Sequence, residues 1–236
     1  MLAMEGAEPL GTSPHLIDVF WRFGVRMASL TWNRRNPFAD GVGEAEDGGL
    51  TRLGADLLRR MARLGMILDL AHASERTFMQ ALEQQNELAV VVSHAACRAV
   101  FDTPRNLSDV QLRALAERDG VLGIMMLPFA IDPCEPRIER VVAPIDHAVD
   151  VMGIEHVGIG GDFIAQVAQA LGWEAYSDRL NPRGLGFDSV ISGLVDQRDY
   201  PALLAELEAR GYDDDDLRLI ASGNFLRVLE RSLPTG

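Results

Sequence analysis

Met66-Ile67-Leu68-Asp69-Leu70-Ala71-His72 is the stretch that decides the fold: a short, nearly continuous apolar run ending in a histidine. Just before it, Leu53, Leu57, Leu58, Met61 and Leu64 recur at helical spacing through Leu50–Leu64, and Gly65 stands where a left-handed cap would fall. Strands covered on both faces lose the polar alternation of half-exposed ones. An apolar strand entered from an amphipathic helix is therefore the unit of a parallel α/β sheet.

The same unit recurs on both sides. Downstream, Ser74 reads as the cap of a helix to about Gln85, with Glu75 in its first turn. Leu88–Val92 is a strand running into Ser93-His94. Ser108–Asp119 is a helix, Gly120–Leu127 a strand, and Arg137–Met152 a helix closed by Gly153. His156–Gly160 is a strand ending in Gly161-Asp162, and Pro201–Arg210 is a helix closed by Gly211. The acidic run Asp213–Asp216 opens a further helix, where negative charge suits the helix dipole. Upstream, Met27–Thr31 reads as a strand followed by a polar loop, Asn33 to Gly49, and the short apolar start Met1–Met4 ends in Glu5. The irregular span Trp173–Asp199, rich in Gly, Pro and Asp, reads as a long loop over a ligand site. Residues 1–236 are expected to form one domain.

Composition narrows the function. A formal charge of −13 argues against binding the nucleic-acid backbone or docking on anionic lipid. The longest apolar stretch, Val121 to Ile131, is too short to span a bilayer. Cys97 and Cys134 show no ligand spacing and read as buried thiols; with no disulfide framework and no signal peptide after Met1, a cytoplasmic protein is expected.

Four strand ends carry capable groups: Glu5, His72, His94 and Asp162. In parallel α/β folds, sites form outside the carboxyl ends of the strands. Imidazole with carboxylate suits zinc and similar divalent metals, and such a metal makes hydroxide available near neutral pH. Each residue also has a plainer reading. Either histidine could be a hydrogen-bonded structural residue, Asp162 a cap after Gly160-Gly161, and Glu5 a solvated charge. His15 after Pro14, His147 inside a helix and His156 at a strand start are read as structural.

Taken together, several segments resemble the membrane dipeptidase (renal dipeptidase, peptidase M19) family, in its bacterial form. They are Met4-Glu5-Gly6, Leu30-Thr31-Trp32-Asn33, Leu68–Ser74, Val92–Ala96, Gly158–Phe163 and Gly223–Val228, in register from about Ala3 to Glu230. The resemblance implies a TIM-like (β/α)8 barrel of the metal-dependent hydrolase type. It implies two zinc ions bridged by a glutamate, and cleavage of dipeptides by metal-activated hydroxide. By position, Glu5 matches the bridging carboxylate, and His72 and His94 match the histidines of one metal site. Arg105, otherwise readable as a solvated loop charge, matches the group that binds the substrate carboxylate. Asp162 matches the acid that holds the substrate amine and handles protons. Related barrels often dimerise, so a homodimer is an expectation on the same ground.

Three departures qualify it. The His-x-Asp pair of the family's first strand, which completes the second metal site, is absent from the sequence; the chain is expected to lack about the first two strands, as a truncated or mis-started product would. Trp32 stands where the renal enzymes have a histidine. The usual Asp-Phe-Asp-Gly reads Asp162-Phe163-Ile164-Ala165. Two alternatives stay open: a degenerate, non-catalytic homologue that binds one metal or a partner, and a related hydrolase acting on lactones or cyclic amides.

Overall fold

The computed structural model describes residues 1–84, 87–171, 185–186 and 188–232. Six parallel strands carry the architecture: β1 (Leu2–Met4), β2 (Val25–Ser29), β3 (Ile67–Asp69), β4 (Ala89–Ala95), β5 (Val121–Ile124) and β6 (Val157–Ile159). They follow one another across the sheet in chain order. Among the described residues, β1 and β6 form its two edges, so the sheet is not closed by hydrogen bonds.

The helices are α1 (Ile17–Arg22), α2 (Arg52–Leu64), α3 (Glu75–Gln84), α4 (Asp109–Glu117), α5 (Pro128–Ile131), α6 (Glu139–Met152), α7 (Ala165–Leu171), α8 (Tyr200–Arg210), α9 (Asp214–Arg218) and α10 (Asn224–Ser232). None is long and apolar enough to cross a membrane. Most lie where the periodicity puts them, and Gly65, Gly153 and Gly211 all take positive φ at helix ends. Four of the expected strands are longer than the observed ones; β2 keeps its expected length and β4 is longer than expected. Gly120–Leu127 shortens to Val121–Ile124 because Pro128, at the first position of α5, turns the chain into a short helix. The helix α7 carries too short an apolar pattern to be read from sequence.

Contacts divide the chain into two compact units: residues 1–93, 113–121 and 225–236, and residues 94–112 and 122–224. The dividing line falls inside β4, between Ser93 and His94.

In the first unit, the middle of the α2 apolar stripe is inside: Leu57, Leu58 and Met61 are all buried, while Leu53 and Leu64 at its ends are partly buried. The α2 helix starts at Thr51, whose hydroxyl accepts from the Gly54 amide at 3.1 Å. Ile67, Val91, Val121 and Val228 form one cluster, so strands and α10 share a core. Parallel register aligns the strand ends: Met4 with Ala28, Ser29 with Asp69, and Asp69 with Val91. That alignment brings the residues following each strand to one level.

In the second unit, β5 and β6 run in register from Leu122 with Val157 to Ile124 with Ile159. Asn224 at the start of α10 donates from Nδ2 to the carbonyls of Ile154 (2.7 Å) and Val157 (2.8 Å), tying the chain to the base of β6. The α6 helix buries Val141, Ile145 and Ala148.

Candidate metal centre

Glu5 follows β1 directly, His72 lies three residues beyond β3, and Asp162 three beyond β6. His94 differs slightly from expectation. The β4 strand continues to Ala95, so His94 lies inside the strand rather than after it. The hydroxyl of Ser29 fixes the Glu5 segment by accepting from the Gly6 amide at 2.6 Å.

His72 is held at both backbone and ring. Its φ is +65°, and among the described residues only His72, Asp119 and Asp162 enter the left-handed region without being glycine. Such a conformation persists only where the surroundings impose it, and it often marks a working site. Here the His72 carbonyl accepts from the Val42 amide (2.8 Å) and the Thr31 hydroxyl (3.3 Å). In the ring, Nδ1 lies 2.7 Å from Oδ1 of Asn33, and Nε2 lies 3.0 Å from Oε1 of Glu5. The Trp32 ring is tilted against the imidazole, centroid to centroid 6.0 Å. His72 is buried, whereas Glu5 is half exposed.

His94 is also buried, and its carbonyl accepts from Nη2 of Arg105 at 2.7 Å. Arg105 is itself 3% exposed, which removes the solvated-loop reading of that charge. Asp162 lies near His94, with Oδ2 at 3.9 Å from Nε2. Asp162 has a φ of +58° and directly follows Gly160-Gly161. The Gly160 amide donates to Ile124 and Met126 donates to the Gly161 carbonyl, each at 3.0 Å. A Cβ on Gly161 would sit 2.5 Å from the Tyr200 hydroxyl, so a larger residue there would have to displace that side chain.

Glu5 and His72, both in the first unit, bring a carboxylate oxygen and an imidazole nitrogen to 3.0 Å, and His94 is a third group of metal-ligating type. Two imidazoles and a carboxylate are a donor set suited to a divalent transition metal.

Sequence reading missed two residues that brace this set. One is Asn33, on the ring of His72. The other is Asp69, a buried carboxylate at the end of β3 that accepts from the Ala71 amide (3.0 Å), the Ser93 amide (2.9 Å) and the Ser93 hydroxyl (2.5 Å). A charge inside the apolar run Met66–Leu70 was the available signal, since a buried carboxylate needs such donors.

His147 pairs with Asp109 at 2.7 Å, and His15 contacts Arg60. Cys97 is a buried thiol, but Cys134 is exposed, which corrects the expectation that both are buried: it lies in the turn after α5, where its amide donates to Asp132. Of the Trp173–Asp199 span, residues 173–184 and 187 lie outside the described residues. Within the described remainder Ile191 and Leu194 are fully buried, so that part packs as core.

Comparison with known proteins places this geometry. The sequence matches the family model "Membrane dipeptidase (Peptidase family M19)" over residues 1–180 and 184–233. An uncharacterized dipeptidase of Schizosaccharomyces pombe is 36% identical over 97% of this chain and 52% of its own length. Dipeptidase verJ of Clonostachys rogersoniana is 32% identical over 98% of the chain and 54% of its own. The chain thus spans about half the length of these curated relatives. A solved Rhodobacter sphaeroides metallo peptidase, liganded with a phosphinate mimic of the dipeptide L-Ala-D-Ala, superposes with a TM-score of 0.81 at 28% identity. That superposition covers 99% of this chain and 63% of the other.

Proposed function

Because the chain belongs to the membrane dipeptidase family, peptidase family M19, we propose that it carries a metallo-dipeptidase site in which Glu5, His72 and His94 hold zinc. The observation that carries this reading is the approach of Glu5 Oε1 to His72 Nε2 at 3.0 Å, with His94 joined to the pair by its match to the family's position. A divalent metal held there would lower the pKa of water to about 7 and polarise a substrate carbonyl. By family position, Glu5 would bridge to a second zinc.

The chain's own residues would do the rest. Arg105, fixed through the His94 carbonyl, would bind the terminal carboxylate of a dipeptide and so orient the scissile amide. Asp162, with its left-handed backbone, would hold the substrate amine, take a proton from the attacking water and return it to the leaving amine. The family match runs through residues of both units, which supports treating residues 1–236 as one barrel-type domain. Cytoplasmic location and homodimeric assembly belong to the same proposal, the first supported by the two free cysteines and the second by family likeness.

The test is hydrolysis of a panel of L-L and L-D dipeptides by the zinc-loaded protein, with Asp162→Asn and Arg105→Lys beside it. Turnover lost in D162N and a raised KM in R105K are expected. A zinc-loaded protein that cleaves no dipeptide contradicts the proposal.

A further inference from the structure

Asn33 touches His72, one of the three proposed donors, without being one. Its Oδ1 faces Nδ1 of His72 at 2.7 Å, while Nε2, across the ring, faces Oε1 of Glu5 at 3.0 Å. A neutral imidazole offers a lone pair from one nitrogen only, and the other carries the proton. For Nε2 to serve a cation beside Glu5, Nδ1 must keep its proton and have a neighbour that accepts it.

The loop after β2 holds Asn33 in that place. The residue is buried, and its backbone carbonyl accepts from the Gly43 amide at 2.7 Å. Gly41 packs so closely on it that a Cβ there would lie 2.5 Å from the Asn33 carbonyl carbon. Val42, between those glycines, is the residue whose amide grips the His72 carbonyl. One loop therefore fixes both the unusual backbone of His72 and the face of its ring. An amide oxygen orients the ring without adding charge, in a place where Glu5 already supplies one.

We infer that Asn33 is the positioning residue that sets the His72 tautomer: its Oδ1 accepts the Nδ1 proton, and Nε2 is thereby presented to a divalent cation. The inference rests on the proposed metal site, but part of its test does not.

That part is a long-range proton–nitrogen spectrum of the metal-free full chain, labelled with ¹⁵N-histidine, at about pH 8, above the ordinary histidine pKa of ~6.5. His72→Gln assigns the signals. His72 is expected as the Nδ1–H tautomer in the parent protein and as a mixture in Asn33→Ala. Zinc affinity, by competition with a chromophoric chelator, is expected to fall about 10- to 100-fold in N33A and to be retained in Asn33→Asp, which keeps an acceptor. A dominant Nε2–H tautomer in the parent protein overturns the inference, as does an N33A protein with unchanged tautomer and affinity. Should N33A not fold, the parent tautomer and the N33D affinity decide. A protein that takes up no zinc defeats the proposed function, while the tautomer still decides the role of Asn33.

Discussion

Asp69 and Ser93 join the ends of adjacent strands: the carboxylate of one accepts both the amide (2.9 Å) and the hydroxyl (2.5 Å) of the other. Asp69 precedes His72 by three residues, and Ser93 immediately precedes His94. Hydrogen bonds to a buried charge contribute about 1.5–3 kcal/mol each. Asp69→Ala is therefore expected to lower unfolding free energy by about 3 kcal/mol or more, and Ser93→Ala by about 1.5–3 kcal/mol. The two losses should not add, because they remove a shared contact. Urea unfolding of the two single variants and the double variant measures this directly; strict additivity would mean the bond contributes nothing.

Gly54 offers a case in which local propensity and packing disagree. Alanine in a helix interior normally gains about 1 kcal/mol over glycine. At Gly54, a Cβ would lie 2.1 Å from the Phe38 carbonyl oxygen, a backbone atom that cannot swing away. Gly54→Ala is expected to lower Tm rather than raise it. The midpoint of a thermal melt gives the sign.

The loop between β2 and α2 is predicted to be acid-sensitive through Asp40. Its hydrogen bonds with Arg35, at 2.5 and 2.7 Å, hold this carboxyl below the usual aspartate range. The folded pKa lies below the unfolded value of about 3.9. The stabilisation is therefore present above that value and lost as pH falls through the folded pKa. The Asp40 carbonyl also anchors Ser74 and Thr77 of the α3 start, so the loop tethers the segment just after His72. The Tm difference between the parent protein and Asp40→Asn should be largest near about pH 6 and should shrink towards about pH 3. A difference that does not change with pH would contradict this role.

The two thiols should differ sharply in reactivity. Burial pushes the Cys97 thiol up to about 12, and its Sγ lies 3.4 Å from the Pro144 carbonyl. Cys134 is exposed. Since only thiolate reacts, a disulfide reagent on the folded protein should modify Cys134 quickly and Cys97 only on unfolding. Mass spectrometry of the modified peptides distinguishes them.

Much of this was readable before any coordinates. Helix α2, with its five apolar positions and Gly65, was defined by period and cap alone. Glu5, His72, His94 and Asp162 stood out because capable groups recurred at strand ends. Arg105 could not be found that way, since its burial depends on contacts with His94, eleven residues earlier in the chain. Asn33 was legible only as a loop residue, because its partner lies 39 residues away. Strand lengths were overestimated where an apolar run continues past its last ladder bond, as after Ile124, and hydrophobicity alone does not mark where pairing stops.

The central claim is that Glu5, His72 and His94 hold a metal. The most direct measurement is zinc affinity and stoichiometry, by chelator competition with elemental analysis, for the parent protein and for Glu5→Gln, His72→Gln and His94→Gln. The account predicts zinc bound by the parent chain. It also predicts that each histidine variant weakens binding beyond the roughly 10- to 100-fold effect of an outer contact, with far-ultraviolet circular dichroism unchanged. Equal zinc affinity in the parent protein and in the folded H72Q and H94Q variants would contradict it.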